Sequence, residues 1–466
     1  MIYDYIIIGG GPTGITLAIM LANTKFKTLL LESESSLGGN WKVDLQNEYL
    51  TEHSPKVLFS NNHYFFELLK CLKVKYKLNN VYGKFGNLKI INAFVKSFSC
   101  NDYYQLFKTM YKFISHPTSF DYYQSLDKWI IENNLSDTGK SLLETLSVVM
   151  ANTSDKICMG SFMEFILIEP GIFFNIVQLN DPNEWLNCAS EYLSTFTNIN
   201  ILYNTHIVSI HENGTMQDKN NNTFKCKEII LTVPVRSLYN IVLKSSPLLQ
   251  KNWFESMNTF ENFVDKSTYI GLGFQLHFNK KMTPPTDWCW SCFNDWKIIV
   301  VQKDDIHKII SKDPTIVSVW SCVIVDLESK SKRTKKTPNE CDTMDEIVEE
   351  ALYQLSCENN EEINPYKITY HKNIRKKCNK WDTINSSYAN SIGALSYTGE
   401  HVNNIYSVGP HNIGSFTIIE HAIKSAIIFG THKRINNIFH LKSKHSYLNN
   451  QLFVVISLII VYIAIK

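Results

Sequence analysis

The feature that most constrains this chain stands at residues 5–14, where the apolar run Tyr5-Ile6-Ile7-Ile8 is broken by Gly9-Gly10-Gly11-Pro12-Thr13-Gly14. An uncharged run of this length reads as a parallel strand buried on both faces, and residues 15–23 continue as a helix. This is GxGxxG in a strand-turn-helix setting. Gly9 permits the tight turn, Gly11 lets the backbone approach a pyrophosphate, and Gly14 lets the helix pack against the strand. Pro12 and Thr13 complete a turn that holds phosphates at the helix N-terminus. A second apolar strand at residues 28–31 ends in Glu32, a carboxylate placed to accept hydrogen bonds from ribose hydroxyls. Strand, turn, helix and acid at this spacing define a dinucleotide site.

The segments after Glu32 narrow the dinucleotide. Leu37-Gly38-Gly39-Asn40-Trp41 and then Tyr49-Leu50-Thr51-Glu52-His53-Ser54-Pro55 resemble the flavin-binding start of the amine oxidase, protoporphyrinogen oxidase and phytoene desaturase superfamily. Two later segments resemble the same superfamily. One runs through residues 199–210 and 226–234; the other is the strand and turn at 404–410 with a helix expected from Phe416 to Ile428. The resemblance implies FAD, with Gly38, Gly39 and Asn40 under its phosphates. It also implies Val208 at the adenine, Pro234 and Gly409 beside the cofactor, and Ile419 at the flavin pyrimidine, where a helix N-terminus stabilises negative charge on the ring.

The expected fold is α/β: a doubly wound, discontinuous FAD domain from 1–75, 190–242 and 395–435, interleaved with a mixed α+β substrate domain from 76–189 and 243–394. Strands are expected at 269–278 and 316–322. A helix is expected at 344–356, where Ile347, Val348, Ala351, Leu352 and Leu355 share a face, and a solvated loop at 330–336. Residues 436–466 form a linker and a hydrophobic tail.

Lys plus Arg (46) nearly balance Asp plus Glu (44), for a net charge of +2. No concentrated basic face is expected, which argues against a nucleic-acid partner. The odd count of 11 cysteines reads as free thiols in a reducing compartment, and Cys289-Trp290-Ser291-Cys292 lacks the second pair of a zinc site, so no metal is expected. The start, Met1-Ile2-Tyr3-Asp4, enters a strand with no preceding signal or transit peptide expected. Residues 452–465 carry no charge and are flanked by Lys442, Lys444 and Lys466. As a helix this run reaches ~21 Å against a hydrocarbon layer of ~30 Å. Attachment to a membrane by this tail is expected, with the catalytic body in the cytosol.

The sequence also departs from the superfamily. Asn40 stands where many amine oxidases have Arg, Pro410 where an acid is common, and Ile418 where monoamine oxidases place a caging Tyr. Gly273 or Phe274 occupies the place of a water-holding Lys. The loop Ser386-Ser387-Tyr388 has no Cys, so the FAD is expected to be non-covalent. His53, Trp381 and Tyr388 are candidates to face the reacting ring. The reading is an FAD-dependent oxidoreductase dehydrogenating a small or lipophilic substrate at a C–N or C–C bond. A desaturase or protoporphyrinogen-oxidase-like enzyme and an FAD-binding scaffold without turnover remain open alternatives. No second GxGxxG is present for NADPH, which disfavours a monooxygenase.

Overall fold

The computed structural model describes residues 2–80, 96–116, 118–167, 176–283, 294–311, 313–384, 393–414 and 418–435, with Ser386, Tyr388, Ala389 and Phe439. Its central sheet has seven strands among the described residues. Ile199–Leu202, Thr28–Leu31, Tyr3–Ile8, Thr223–Leu231 and Ile405–Ser407 lie side by side in parallel. The first half of Thr223–Leu231 also pairs antiparallel with Thr215–Asp218, which in turn pairs with Ile207–Ile210. Alternation along the strands fills both faces. Tyr5, Ile7, Leu30 and Ile230 pack toward the helices Pro12–Ala22, His63–Cys71 and Ile419–His432. Ile6, Ile8, Leu29, Leu31 and Ile229 pack toward Val235–Leu243 and Met257–Ser267. The unbroken apolar run at 5–8 is thereby explained, because a parallel sheet covered on both faces has no wet side.

The second architecture is an antiparallel sheet in the order Ile299–Gln302, Ser318–Ile324, Leu272–Phe278, Lys367–Tyr370. Phe274, Leu276, Phe278, Trp320 and Cys322 pack under the helix Met344–Asn359. A helical group, including Asp137–Val149 and Met159–Leu167, covers the other side with Ile299, Val301 and Val323.

Two local expectations need correction. The last helix begins at Ile419, not Phe416, and runs to His432. Its N-cap, Ile418, has no capping side chain to advertise the boundary. The 330–336 loop is exposed as expected, except at Ser331, whose buried hydroxyl donates to Glu350, the carboxylate that Arg333 pairs with at 2.6 Å. The helix Pro12–Ala22 starts inside the glycine turn rather than after it. The tail at 452–465 and the Cys289–Cys292 pair lie outside the described residues. Among the described residues, no helix is long and apolar enough to cross a membrane.

Candidate active site

A cavity of about 530 Å³ opens where the central sheet, its first helix and the antiparallel sheet meet. The glycine turn forms one wall. Gly9 has φ +109°, a conformation that L side chains rarely adopt, and Thr232 Oγ1 donates to its carbonyl at 2.7 Å. A Cβ on Gly14 would stand 1.9 Å from the Gly9 carbonyl oxygen, so helix and strand touch there. Gly11 is different. Its torsions, φ −75° and ψ −178°, suit any residue, and a Cβ built on it would meet nothing within 4 Å among the described residues. Neither backbone nor neighbours require glycine at this position, which faces open cavity at a helix start without a capping side chain.

Glu32 lines the same wall and is buried. Its carboxylate accepts from the Gly10 N–H at 2.7 Å, the Glu34 N–H at 2.8 Å and Ser33 Oγ at 3.0 Å, fixing the acid against the turn. Gly38 and Gly39 take φ of +129° and +52°, and a Cβ on Gly39 would come within 3.3 Å of Gly11 Cα. Gly39, Asn40 and Trp41 thus pass directly beside Gly11. Val208, Pro234, Gly409, Ile419, Pro12 and Thr13 also border the cavity. Thr13 Oγ1 donates to the Ala422 carbonyl at 3.0 Å, tying the first helix to the last. The uncapped start of Ile419–His432 also opens on this space.

Beyond the glycine wall the lining becomes apolar: Phe59, Val148, Val149, Phe165, Ile299 and Val323. His53 borders the cavity at 2% exposure, and among the described residues neither ring nitrogen has a hydrogen-bond partner. Its ring centroid lies 5.3 Å from those of Tyr269 and His371. Burial, then the Lys56 charge and His371, hold His53 neutral, well below the usual histidine range. Burial, with help from Lys56, likewise pulls His371 down to about 4. Lys56 is itself buried and its ammonium is lowered to about 8 by desolvation, with Glu52 opposing that shift. Tyr388 is buried at the cavity edge, its ring 6.1 Å from that of His411.

Trp381 is not at this site. It packs beneath the helix Met344–Asn359 and its Nε1 donates to the Cys341 carbonyl at 3.2 Å. Its chain neighbour Asp382 points the opposite way and binds Arg236, which lines the cavity, at 2.9 and 3.0 Å. Strand alternation puts consecutive residues on opposite faces. Gly273 explains the missing lysine sterically: a Cβ there would lie 2.3 Å from the His53 carbonyl oxygen, so the strand carries glycine to let the 51–53 backbone lie on it. Phe274 faces the other core. Sequence reading missed Lys56, Tyr269 and His371. Lys56 sits one residue past the 49–55 segment, whereas nothing local marks the other two.

The buried histidines give a pH expectation. His371, His411 and His277 have folded values of about 4, 3 and 3, all below the unfolded 6.5. Below pH 6.5 the unfolded chain therefore binds more protons than the folded one. Stability is full above 6.5 and falls as pH drops toward 4, by up to about 1.4 kcal/mol per pH unit for each such histidine. Melting followed by circular dichroism at pH 7.5 and 5.0 should show a marked loss at 5.0; an unchanged midpoint contradicts this.

Residues 7–72 match the NAD(P)-binding Rossmann-like domain family. Over 113 residues the chain is 31% identical to UDP-galactopyranose mutase of Mycoplasma genitalium, a match covering 24% of this chain and 27% of that protein. The matched stretch is thus about a quarter of the curated relative's length. In fold the chain is similar to a protein of Exiguobacterium sp. 255-15 described as a candidate protoporphyrinogen oxidase, with a TM-score of 0.57 and 13% identity, covering 92% of this chain and 98% of the other. It is also similar to cyclohexylamine oxidase of Brevibacterium oxydans IH-35A, with a TM-score of 0.58 and 11% identity over 93% and 100% of the two chains. In fold, then, the chain is similar to both of these solved proteins over nearly its whole length, and residues 7–72 carry the Rossmann-like part of that fold.

Proposed function

We propose that this chain is an FAD-dependent oxidoreductase that dehydrogenates a small or lipophilic substrate at a C–N or C–C bond. The observation that carries the reading is Gly11, a glycine whose only physical reason is empty space beside it, at an uncapped helix start opposite Glu32. The residues present fit FAD. Gly11, Thr13 and the first turn of Pro12–Ala22 would hold the pyrophosphate, and Gly38, Gly39 and Asn40 would close over it. Glu32 would bind ribose hydroxyls, and Val208 would border the adenine. Pro234 and Gly409 would flank the cofactor, and the start of Ile419–His432 would face the pyrimidine. Bound FAD supplies the two-electron acceptor for a hydride leaving carbon. The chain's own work is to orient the substrate between Tyr388, His53 and the apolar wall and to keep water out. The predominance of valine, isoleucine and phenylalanine there favours lipophilic compounds, the feature that supports a desaturase or protoporphyrinogen-oxidase-like reaction.

Purified protein is expected to be yellow and to release FAD into the supernatant on boiling, since no cysteine is present at 386–388 to hold it covalently. Glu32→Ala should weaken FAD binding by about 1–3 kcal/mol through loss of a charged acceptor. A colourless protein that FAD cannot reconstitute sinks the reading. Turnover is tested by screening amines, amino acids and porphyrinogens with oxygen or an added acceptor. Reduction of the flavin by none of them supports the scaffold alternative.

We further propose that residues 452–465 attach the protein to a membrane and leave the catalytic body in the cytosol. At about 0.8 kcal/mol per buried methylene, the Leu, Ile, Val and Phe side chains of this run suffice to hold the protein on a bilayer. Truncation after Asn450 should move the protein from the membrane fraction to the supernatant with its flavin retained. A truncated form still in the membrane fraction would place attachment elsewhere.

A further inference from the structure

Among the described residues, the buried Lys56 ammonium on the cavity wall forms no ion pair of its own. Glu52 and Lys303 form an ion pair at 3.4 Å with both side chains 1% exposed, and the second Glu52 oxygen accepts from the Lys56 backbone N–H at 3.2 Å. Lys303 Nζ also donates to the Lys56 carbonyl at 2.9 Å. Lys56 adds a second ammonium to this one carboxylate. Its Nζ donates to the Ser54 carbonyl at 2.9 Å, one neutral acceptor for three donor hydrogens. Nearby Asp44 is engaged by Lys42 and Lys372. Burying two ammonium groups against one carboxylate is costly unless a further anion arrives to pair with the second. Two neutral imidazoles, His53 with both nitrogens unpartnered and His371 beside it, add hydrogen-bonding capacity at the same wall.

We propose that Lys56 is an anion-recognition subsite and that the compound taken up by this cavity is an amphipathic carboxylate, its acid group on Lys56 and its hydrocarbon part against Val148, Phe165, Ile299 and Val323. This rests on the flavoenzyme reading and specifies its substrate class. An anion at Lys56 has two sources, the acid group of a bound compound or a phosphate of the cofactor. The position favours the first. Phe59, three residues on, and Tyr269, in contact with His53, belong to the same core as the apolar wall, whereas Gly11 and Thr13 mark the phosphate end. With Lys56 lowered only to about 8, most of it is charged at neutral pH. An alkylammonium is repelled from the same place by the like charge of Lys56.

The test titrates the yellow holoprotein with butanoate, hexanoate and octanoate, and with octanamide and octylamine, reading the flavin visible spectrum and the melting temperature. Octanoate should bind at least tenfold tighter than octanamide or octylamine, and affinity should rise from butanoate to octanoate. Lys56→Met should retain FAD and lose the preference for acid over amide; Lys56→Arg should keep it, which guards against a variant that merely fails to fold. Equal binding of octanoate and octanamide by the parent protein overturns the proposal, as does a preference undiminished in Lys56→Met. Loss of FAD from a folded Lys56→Met protein overturns it too, because the ammonium then serves the cofactor. A parent protein that binds no FAD refutes the underlying reading instead.

Discussion

Gly11→Val protein is expected to fold, to melt near the parent temperature and to be colourless. The backbone at Gly11 already has φ −75°, and the added Cβ would meet no atom within 4 Å among the described residues, so the side chain grows into open cavity. The fold loses nothing, but the phosphates lose their place, so FAD affinity should fall at least 100-fold, about 2.7 kcal/mol. Gly14→Ala is the control of opposite character. Its methyl would stand 1.9 Å from the Gly9 carbonyl oxygen and 2.8 Å from Thr232 Oγ1. The helix must move off the strand, at a cost expected to exceed about 3 kcal/mol. Denaturation and flavin content together separate the cases: Gly11→Val lowers only flavin content, Gly14→Ala lowers both. A yellow Gly11→Val protein would contradict the assignment of that space to a ligand.

The contrast between these glycines shows what a sequence displays. Residues 3–32 are legible because each requirement there is local: a strand of uniform polarity, a turn with φ +109° at Gly9, a helix packed on it at Gly14, and an acid held by Gly10 of the turn and by its own neighbours Ser33 and Glu34. The distinction between Gly11, which faces open cavity, and Gly14, which faces its own chain, is likewise readable from the motif. The substrate side was not. His53, Tyr269 and His371 come together from positions more than one hundred residues apart, and no periodicity encodes that meeting. Trp381 failed as a site residue for a related reason. Being an aromatic near the correct loop does not fix the parity of a strand, and here the parity sends Trp381 to the core and Asp382 to Arg236. The start of the last helix was misplaced because its stabilising acid does not cap its own helix.

That acid, Glu420, is expected to give a large stability loss on truncation. It lies in the first turn of Ile419–His432 at 3% exposure, and its two oxygens accept from the Tyr64 and Phe65 backbone N–H groups at 2.8 and 2.9 Å. These are orphan donors of the helix His63–Cys71, whose own N-cap, Asn62, supplies no side-chain bond to them and instead accepts from Phe59 N–H. One carboxylate therefore satisfies a second helix and holds its own helix start at the cavity. Glu420→Ala removes two charge-assisted bonds and leaves two buried donors bare, at a cost of about 3 kcal/mol. Thr13→Val, which deletes only the bond to the Ala422 carbonyl, should cost about 1 kcal/mol. If the helix start faces the flavin pyrimidine, Glu420→Ala should also shift the flavin reduction potential downward, because a displaced helix start no longer favours negative charge on the ring. Thr13→Val should leave that potential nearly unchanged. Denaturant unfolding gives the first quantity and a dye-coupled reductive titration the second. A destabilised Glu420→Ala protein with an unaltered potential would place the flavin ring away from this helix, even if FAD binding at Gly11 stood.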